Sequence, residues 1–150
     1  MANTYSQIYI QIVFAVKGRE NILHKSWRDE VFKYISAIIA HKGQKAIIVN
    51  GVGDHVHVFI GVKPTIPLSD LVREIKNNSS KFINEKGWIK GKFEWQEGYG
   101  AFSYSHSQLD SVYNYILNQE AHHEKKTFKE EYHDFLEKLN VDFNDKFLFE

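Results

Sequence analysis

Ile8, Ile10, Ile12, Phe14 and Val16 alternate with other residues at the period of a half-buried strand, which predicts a first strand over roughly residues 5–17. Val31, Ile35, Ile38 and Ile39 then follow a helical stripe, with a capping-box pattern at Ser26 and Asp29 and a stop at Gly43. Residues 45–50 read as strand two. Asn50-Gly51-Val52-Gly53-Asp54 reads as a turn into strand three, which ends where Lys63-Pro64-Thr65-Ile66-Pro67 breaks the pattern. Ser69 is placed to cap a second helix that buries Leu71, Val72, Ile75, Phe82 and Ile83. Residues 98–105 predict strand four. Ser107 with Asp110 predicts a helix from about 108 to 122, and Thr127 with Glu130 a last helix carrying Phe128, Tyr132, Phe135, Leu136 and Leu139. The tail, ending Phe147-Leu148-Phe149-Glu150, carries aromatic residues without a clear element.

The order β-α-β-β-α-β followed by helices predicts an α+β, ferredoxin-like split β-α-β fold, as one domain over residues 1–150. Its sheet is four-stranded and antiparallel, with helices on one face, so the other face is free to carry a site. The composition suits such a core: 43% of the residues are apolar and 15% aromatic. No cysteine is present, which excludes disulfides and thiolate metal sites and fits a reducing compartment. No apolar run has the length of a membrane span, and the expectation is a cytoplasmic protein without a membrane partner. Net charge is zero, yet residues 1–92 carry 14 Lys and Arg against 7 acids, and residues 93–150 carry 5 against 12. A basic first part can attract polyanions, although such asymmetry also arises from ordinary solvated surfaces.

Strand three concentrates the chemistry. It reads Asp54-His55-Val56-His57-Val58-Phe59-Ile60-Gly61-Val62, so His55, His57 and Phe59 share one face and Val56, Val58, Ile60 and Val62 the other. Two imidazoles on a rigid strand begin a metal site, but a third ligand has to come from elsewhere. Asp54 is the nearest acid, and strand alternation directs it to the opposite face. In the helix after Ser107, Tyr115 and Gln119 lie four apart on one face. Tyr115 also has the bland reading of an ordinary half-buried tyrosine at a helix edge. His122 and His123 read first as solvated helix-end residues favoured by the dipole, and second as groups that hold a water or touch a phosphate.

His55-Val56-His57 resembles the HUH motif, two histidines flanking a hydrophobic residue, and Tyr115-Ile116-Leu117-Asn118-Gln119 resembles the single-tyrosine motif of the same superfamily. Residues 94–103 and His122-His123 with Thr127-Phe128 extend the likeness. Over nearly its full length the chain is similar to the single-tyrosine HUH transposases of the insertion sequence 200/605 family. That resemblance implies Tyr115 as nucleophile, and His55, His57 and Gln119 as ligands of a divalent metal, Mg²⁺ or Mn²⁺. It implies cleavage and rejoining of single-stranded DNA at element ends through a 5′-phosphotyrosine, recognition of DNA hairpins, and action as a homodimer, with the active site built within or between subunits.

The chemistry agrees with those roles. Metal charge on the non-bridging oxygens offsets the charge of the attacked phosphodiester, and helps a phenol whose ordinary pKa is about 10 to ionise. The aryl ester keeps much of the energy of the broken bond, so a DNA 3′-hydroxyl can reverse the step without ATP. Candidate DNA contacts are Arg73, Lys76, Asn77, Ser80 and Lys81 on the second helix. Lys86, Lys90 and Lys92, interleaved with Trp88, Phe93 and Trp95, suggest a loop that stacks on unpaired bases; the competing reading is a solvated basic helix with buried aromatics. Three other functions remain open on sequence: a domesticated relative acting on chromosomal hairpin repeats, a non-catalytic single-stranded nucleic-acid-binding module, and a metal-dependent hydrolase.

Overall fold

A computed structural model describes residues 3–124 and 126–139. Strands β1 (Tyr9–Ala15), β2 (Lys45–Val52), β3 (His55–Gly61) and β4 (Gly100–Tyr104) form one sheet in the order β2-β3-β1-β4, and every neighbouring pair is antiparallel. Helix α1 (Arg28–His41) connects β1 to β2, and α2 (Leu68–Lys86) connects β3 to β4. This is the ferredoxin-like arrangement expected. Three further helices follow: α3 (Leu109–Leu117), α4 (Gln119–His123) and α5 (Phe128–Lys138). The tail from residue 140 onward lies outside the described residues.

Alternation in the central strands sorts the molecule into two faces. Ile12, Phe14 and Val16 of the first strand and its extension, with Val56, Val58 and Ile60 of β3, pack against α1 and α2 in the larger apolar core. Each such side chain contributes roughly 1.5–3 kcal/mol by leaving water. The second face carries Gln11, Val13 and Ala15 on β1 and His55, His57 and Phe59 on β3, all buried. Helix α3 covers Phe59 with Val112 and Ile116, and α5 covers Val13, Ala15 and Phe102 with Phe128 and Leu136. The face expected to be free is therefore roofed by the C-terminal helices.

Several boundaries differ from the sequence reading for identifiable reasons. β2 runs through Asn50, Gly51 and Val52, so only Gly53 and Asp54 remain as the turn, and Val52 pairs with His55. Gly51 permits this, since a Cβ there would lie 2.2 Å from the His55 carbonyl oxygen. Ser69 is not a cap: α2 starts directly after Pro67, whose fixed φ and missing N–H suit a helix entry. Ser26 forms no side-chain cap on α1 either. The box before α3 closes two residues earlier than expected, between Ser105 and Gln108, around a short 3-10 turn at His106–Gln108. The Thr127–Glu130 box is present as read.

The predicted helix over 108–122 is broken at Asn118 (φ −98°, ψ 27°). Asn50 Nδ2 donates to the carbonyls of Ile116 and Leu117 at 2.9 and 3.2 Å, satisfying the end of α3 from the side of β2. Arg28 then holds the new segment by an ion pair with Glu120 at 2.5 Å.

Candidate metal and tyrosine site

β3 delivers His55 and His57 side by side, with ring centroids 5.1 Å apart, and both are fully buried. Asp54 does not turn away. It sits in the turn, before strand alternation applies, and its carboxylate lies 2.7 Å from His55 Nδ1. That bond directs His55 Nε2 inward, the arrangement in which a carboxylate orients a ligating imidazole. His57 Nδ1 faces Gln11 Nε2 at 2.8 Å, which likewise directs its Nε2 inward.

Helices α3 to α5 close the site from above. Gln119 is fully buried at the break, and its Oε1 lies 3.3 Å from His55 Nε2. Tyr115 approaches from the preceding helix, its ring centroid 6.1 Å from that of His57 in the same chain. Tyr115, Gln119, His55 and His57 are thus brought together as the sequence suggested.

One member was missed by the sequence reading and another was given the wrong first reading. Glu131 of α5 is 3% exposed and sits at the centre: Oε1 lies 2.9 Å from His57 Nε2 and 3.3 Å from His55 Nε2, while Oε2 accepts the Tyr115 hydroxyl hydrogen. Its signal was an acid on the buried stripe of a helix, between Phe128 and Phe135. His123, read first as solvated, instead turns inward and meets the His55 ring edge-on, with centroids 4.5 Å apart. Its buried Nε2 lies 3.3 Å from Glu131 Oε1, off the line of a hydrogen bond. His122 lies against the Tyr115 ring at 4.5 Å.

The electrostatics follow from burial around one carboxylate. Burial opposes the charge of Glu131, but the close imidazoles of His123, His55 and His57 outweigh it and hold this acid far below the usual carboxylate range. Burial also disfavours charged His55, yet Asp54 and Glu131 together raise its pKa. At His57 burial prevails over Glu131 and the pKa is lowered. Burial, then the Glu131 charge, raises the Tyr115 pKa, so the phenol stays protonated in this setting.

The donor set suits a hard or borderline divalent cation. His55, His57 and Glu131 offer three ligand atoms within 4.8 Å of one another, and the amide oxygen of Gln119 adjoins them. Ligand atoms about 2.1 Å from an octahedral ion stand roughly 3 Å apart along an edge, close to the 2.9 and 3.3 Å found between Glu131 Oε1 and the two imidazoles. A carboxylate in the set offsets one unit of cation charge, unlike the all-neutral set of His55, His57 and Gln119.

A second feature lies on the α2 side of the sheet. A groove of about 820 Å³ runs between α2 and residues 92–99. Arg73, Lys76, Asn77, Ser80, Lys81 and Lys92 line it together with Tyr99; Lys90 does not. Lys76 is committed within the protein, donating to the carbonyls of Gln96 and Gly98 at 2.9 and 2.5 Å. Of the two readings of the aromatic residues in this stretch, the buried one fits the structure. Phe93 and Trp95 are buried, Trp95 donates to Ser79 Oγ at 2.9 Å, and Trp88 stacks on Trp27 with centroids 4.7 Å apart.

Comparison with known proteins places this geometry in context. A model of the family described as Transposase IS200 like matches residues 4–119. The ISDra2 transposase TnpA of Deinococcus radiodurans is 24% identical over 120 residues, covering 75% of this chain and 84% of the relative. A crystal structure of a Deinococcus radiodurans R1 protein assigned to the transposases superposes with a TM-score of 0.64 at 20% identity, covering 79% of this chain and 95% of that one. The structure of a REP-associated tyrosine transposase bound to a REP hairpin gives 0.61 at 13% identity, over 82% of this chain and 73% of that one. Both structural likenesses concern the fold.

Proposed function

The chain belongs to the IS200-like transposases of the IS200/605 family, and from that premise we propose that it cleaves and rejoins single-stranded DNA through a 5′-phosphotyrosine on Tyr115. One observation carries the reading: the Tyr115 hydroxyl, two strand histidines, Gln119 and a buried carboxylate meet in one cluster within a single chain. A divalent cation, Mg²⁺ or Mn²⁺, held by His55, His57 and Gln119 with Glu131 Oε1 beside them, supplies positive charge against the attacked phosphate and favours the phenolate.

The remaining roles belong to the protein. Tyr115 Oη attacks phosphorus, the Oη–P bond forms, and the bond from phosphorus to the 3′-oxygen breaks. The phenol proton leaves through Glu131 Oε2, which accepts that hydrogen and, being held far below the usual carboxylate range, passes it on to solvent rather than keeping it; the departing 3′-oxygen takes one proton from solvent to become the free 3′-hydroxyl. The roof of α3 and α5 keeps water from the ester, so a DNA 3′-hydroxyl rather than hydrolysis resolves it. The substrate is a strand with a hairpin, bound along the groove by Arg73, Lys81 and Lys92 with Asn77 and Ser80, a reading motivated by the REP hairpin in the structural neighbour. The working unit is a homodimer, a reading supported by β2 and β4 being the edge strands of the sheet among the described residues.

Incubation of the protein with a labelled, hairpin-bearing single strand and Mn²⁺ tests the reading. A covalent protein–DNA band on a denaturing gel is expected, absent in Tyr115→Phe and with chelator. Cleavage by Tyr115→Phe at the wild-type rate would remove Tyr115 from the reaction.

A further inference from the structure

The two strand histidines are supported differently. His55 Nδ1 faces a carboxylate, which only accepts, so its proton belongs on Nδ1 and its Nε2 lone pair is available to a cation. His57 Nδ1 faces the amide nitrogen of Gln11, which only donates. With the amide in that sense, Nδ1 accepts, and the ring proton sits on Nε2, pointing at Glu131 Oε1 2.9 Å away. This tautomer has no lone pair on Nε2 and cannot ligate through it.

The other end of the Gln11 amide meets a residue that can accommodate either orientation. Gln11 is fully buried on β1, and its Oε1 accepts from the Tyr104 hydroxyl of β4 at 2.9 Å. Turning the amide end for end presents Oε1 to His57 Nδ1 and Nε2 to Tyr104 Oη. The Tyr104 hydroxyl then accepts, and its own hydrogen is released to point elsewhere. Gln11 and Tyr104 both line a cavity of about 420 Å³ that also reaches Tyr115, Gln108 and Ser111. The released hydroxyl therefore has a space beside the nucleophile into which to donate, with Gln108 and Ser111 among its lining residues.

We propose that Gln11 is a positioning residue for the cation site: its side-chain amide selects the His57 tautomer, and the choice is relayed to the Tyr104 hydroxyl beside Tyr115. The amide-nitrogen-inward arrangement pairs His57 with Glu131, and the amide-oxygen-inward arrangement frees His57 Nε2 for a cation. The ring carries one proton in both, so the change is a rotation plus a tautomer exchange with no net proton gained. Cation binding thereby adds a hydrogen-bond donor at the wall of the cavity. This inference rests on the cation reading of the cluster given above.

Mn²⁺ titration of the DNA-free protein, followed by calorimetry and by the loss of the free-ion EPR signal, tests it. His57→Ala serves as the control for the cation reading, and must lose the site. Gln11→Leu is expected to weaken Mn²⁺ about 10- to 100-fold. Gln11→Glu, whose carboxylate only accepts from Nδ1, is expected to restore affinity to within about 3-fold of wild type or to exceed it. Tyr104→Phe should shift affinity by only about 2- to 10-fold. Wild-type affinity in Gln11→Leu, or affinity in Gln11→Glu as weak as in Gln11→Leu, overturns the proposal while leaving the cation reading intact. Undiminished binding in His57→Ala overturns both. Where Gln11→Leu does not fold, ¹⁵N spectra of the histidine-labelled wild type without and with Zn²⁺ decide. The proposal requires the His57 proton on Nε2 without metal and on Nδ1 with it; a proton already on Nδ1 without metal contradicts the proposal while leaving the cation reading intact.

Discussion

The two faces of β3 are built from alternate residues of one seven-residue strand, yet they obey different rules. Val56, Val58 and Ile60 enter a core where shape and apolar area decide, and close neighbours of similar size can replace one another at modest cost. His55 and His57 enter a buried polar cluster in which each nitrogen has a specified neighbour: Asp54, Gln11, Gln119 or Glu131. The first face makes the strand rigid. The second uses that rigidity to hold two imidazoles whose alternative positions would leave polar groups unpaired. The contrast separates residues that fold the protein from residues that act in it, although they are only one position apart.

Substitutions one residue apart on β3 should break the molecule in different ways. His57→Ala is expected to reduce Mn²⁺-dependent strand cleavage by about 10³-fold or more while the fold persists, as judged by circular dichroism. Ile60→Ala should do the reverse, costing about 2–5 kcal/mol in urea denaturation with near-normal cleavage per folded molecule. Equal loss of activity per folded molecule in both would erase the distinction between the faces.

Acid should expose the second face before the first. The Glu131 pKa is depressed in the fold by the close imidazoles of His123, His55 and His57, which outweigh its burial. Its contribution is therefore complete above the unfolded value of about 4.3, and is lost as pH falls toward the folded one. Urea denaturation from pH 7 to pH 3 should show a steeper loss for wild type than for Glu131→Gln, which has no such carboxylate. The variant should also be less stable at pH 7, by about 1–3 kcal/mol, because its imidazole neighbours lose a charged acceptor. Parallel pH profiles would mean that Glu131 is not ionised in the cluster.

The groove offers the mildest test. Arg73→Ala and Lys81→Ala are each expected to weaken hairpin binding modestly and to reduce the slope of log affinity against log salt by about 1. Lys76→Ala should instead loosen the 96–98 loop that it ties to α2, with a cost in stability. Unchanged salt slopes would move the DNA path away from α2.

Much of this was legible in the chain. The alternation of β3 identified the histidine face, and the spacing of Tyr115 and Gln119 put both on one helix surface. What covers that face was not legible, because it depends on how the helices return. Glu131 comes from α5, and its only local mark is an acid on an apolar stripe. Gln11 is a single amide in an alternating strand, and only the β1–β3 register, which sets it opposite Phe59 and near His57, shows its use. The break at Asn118 required Asn50, sixty-six residues earlier, to satisfy the end of α3. Whether Phe93 and Trp95 face bases or the core was left open, because aromatic residues in a lysine-rich stretch look alike in either setting.

The account depends on a covalent bond between Tyr115 and DNA. Tandem mass spectrometry of the trypsin- and nuclease-digested protein–DNA adduct tests this most directly. A nucleotide remnant joined through its 5′-phosphate to Tyr115 is the predicted result. A remnant on another residue, or efficient strand cleavage with no adduct at all, would contradict it.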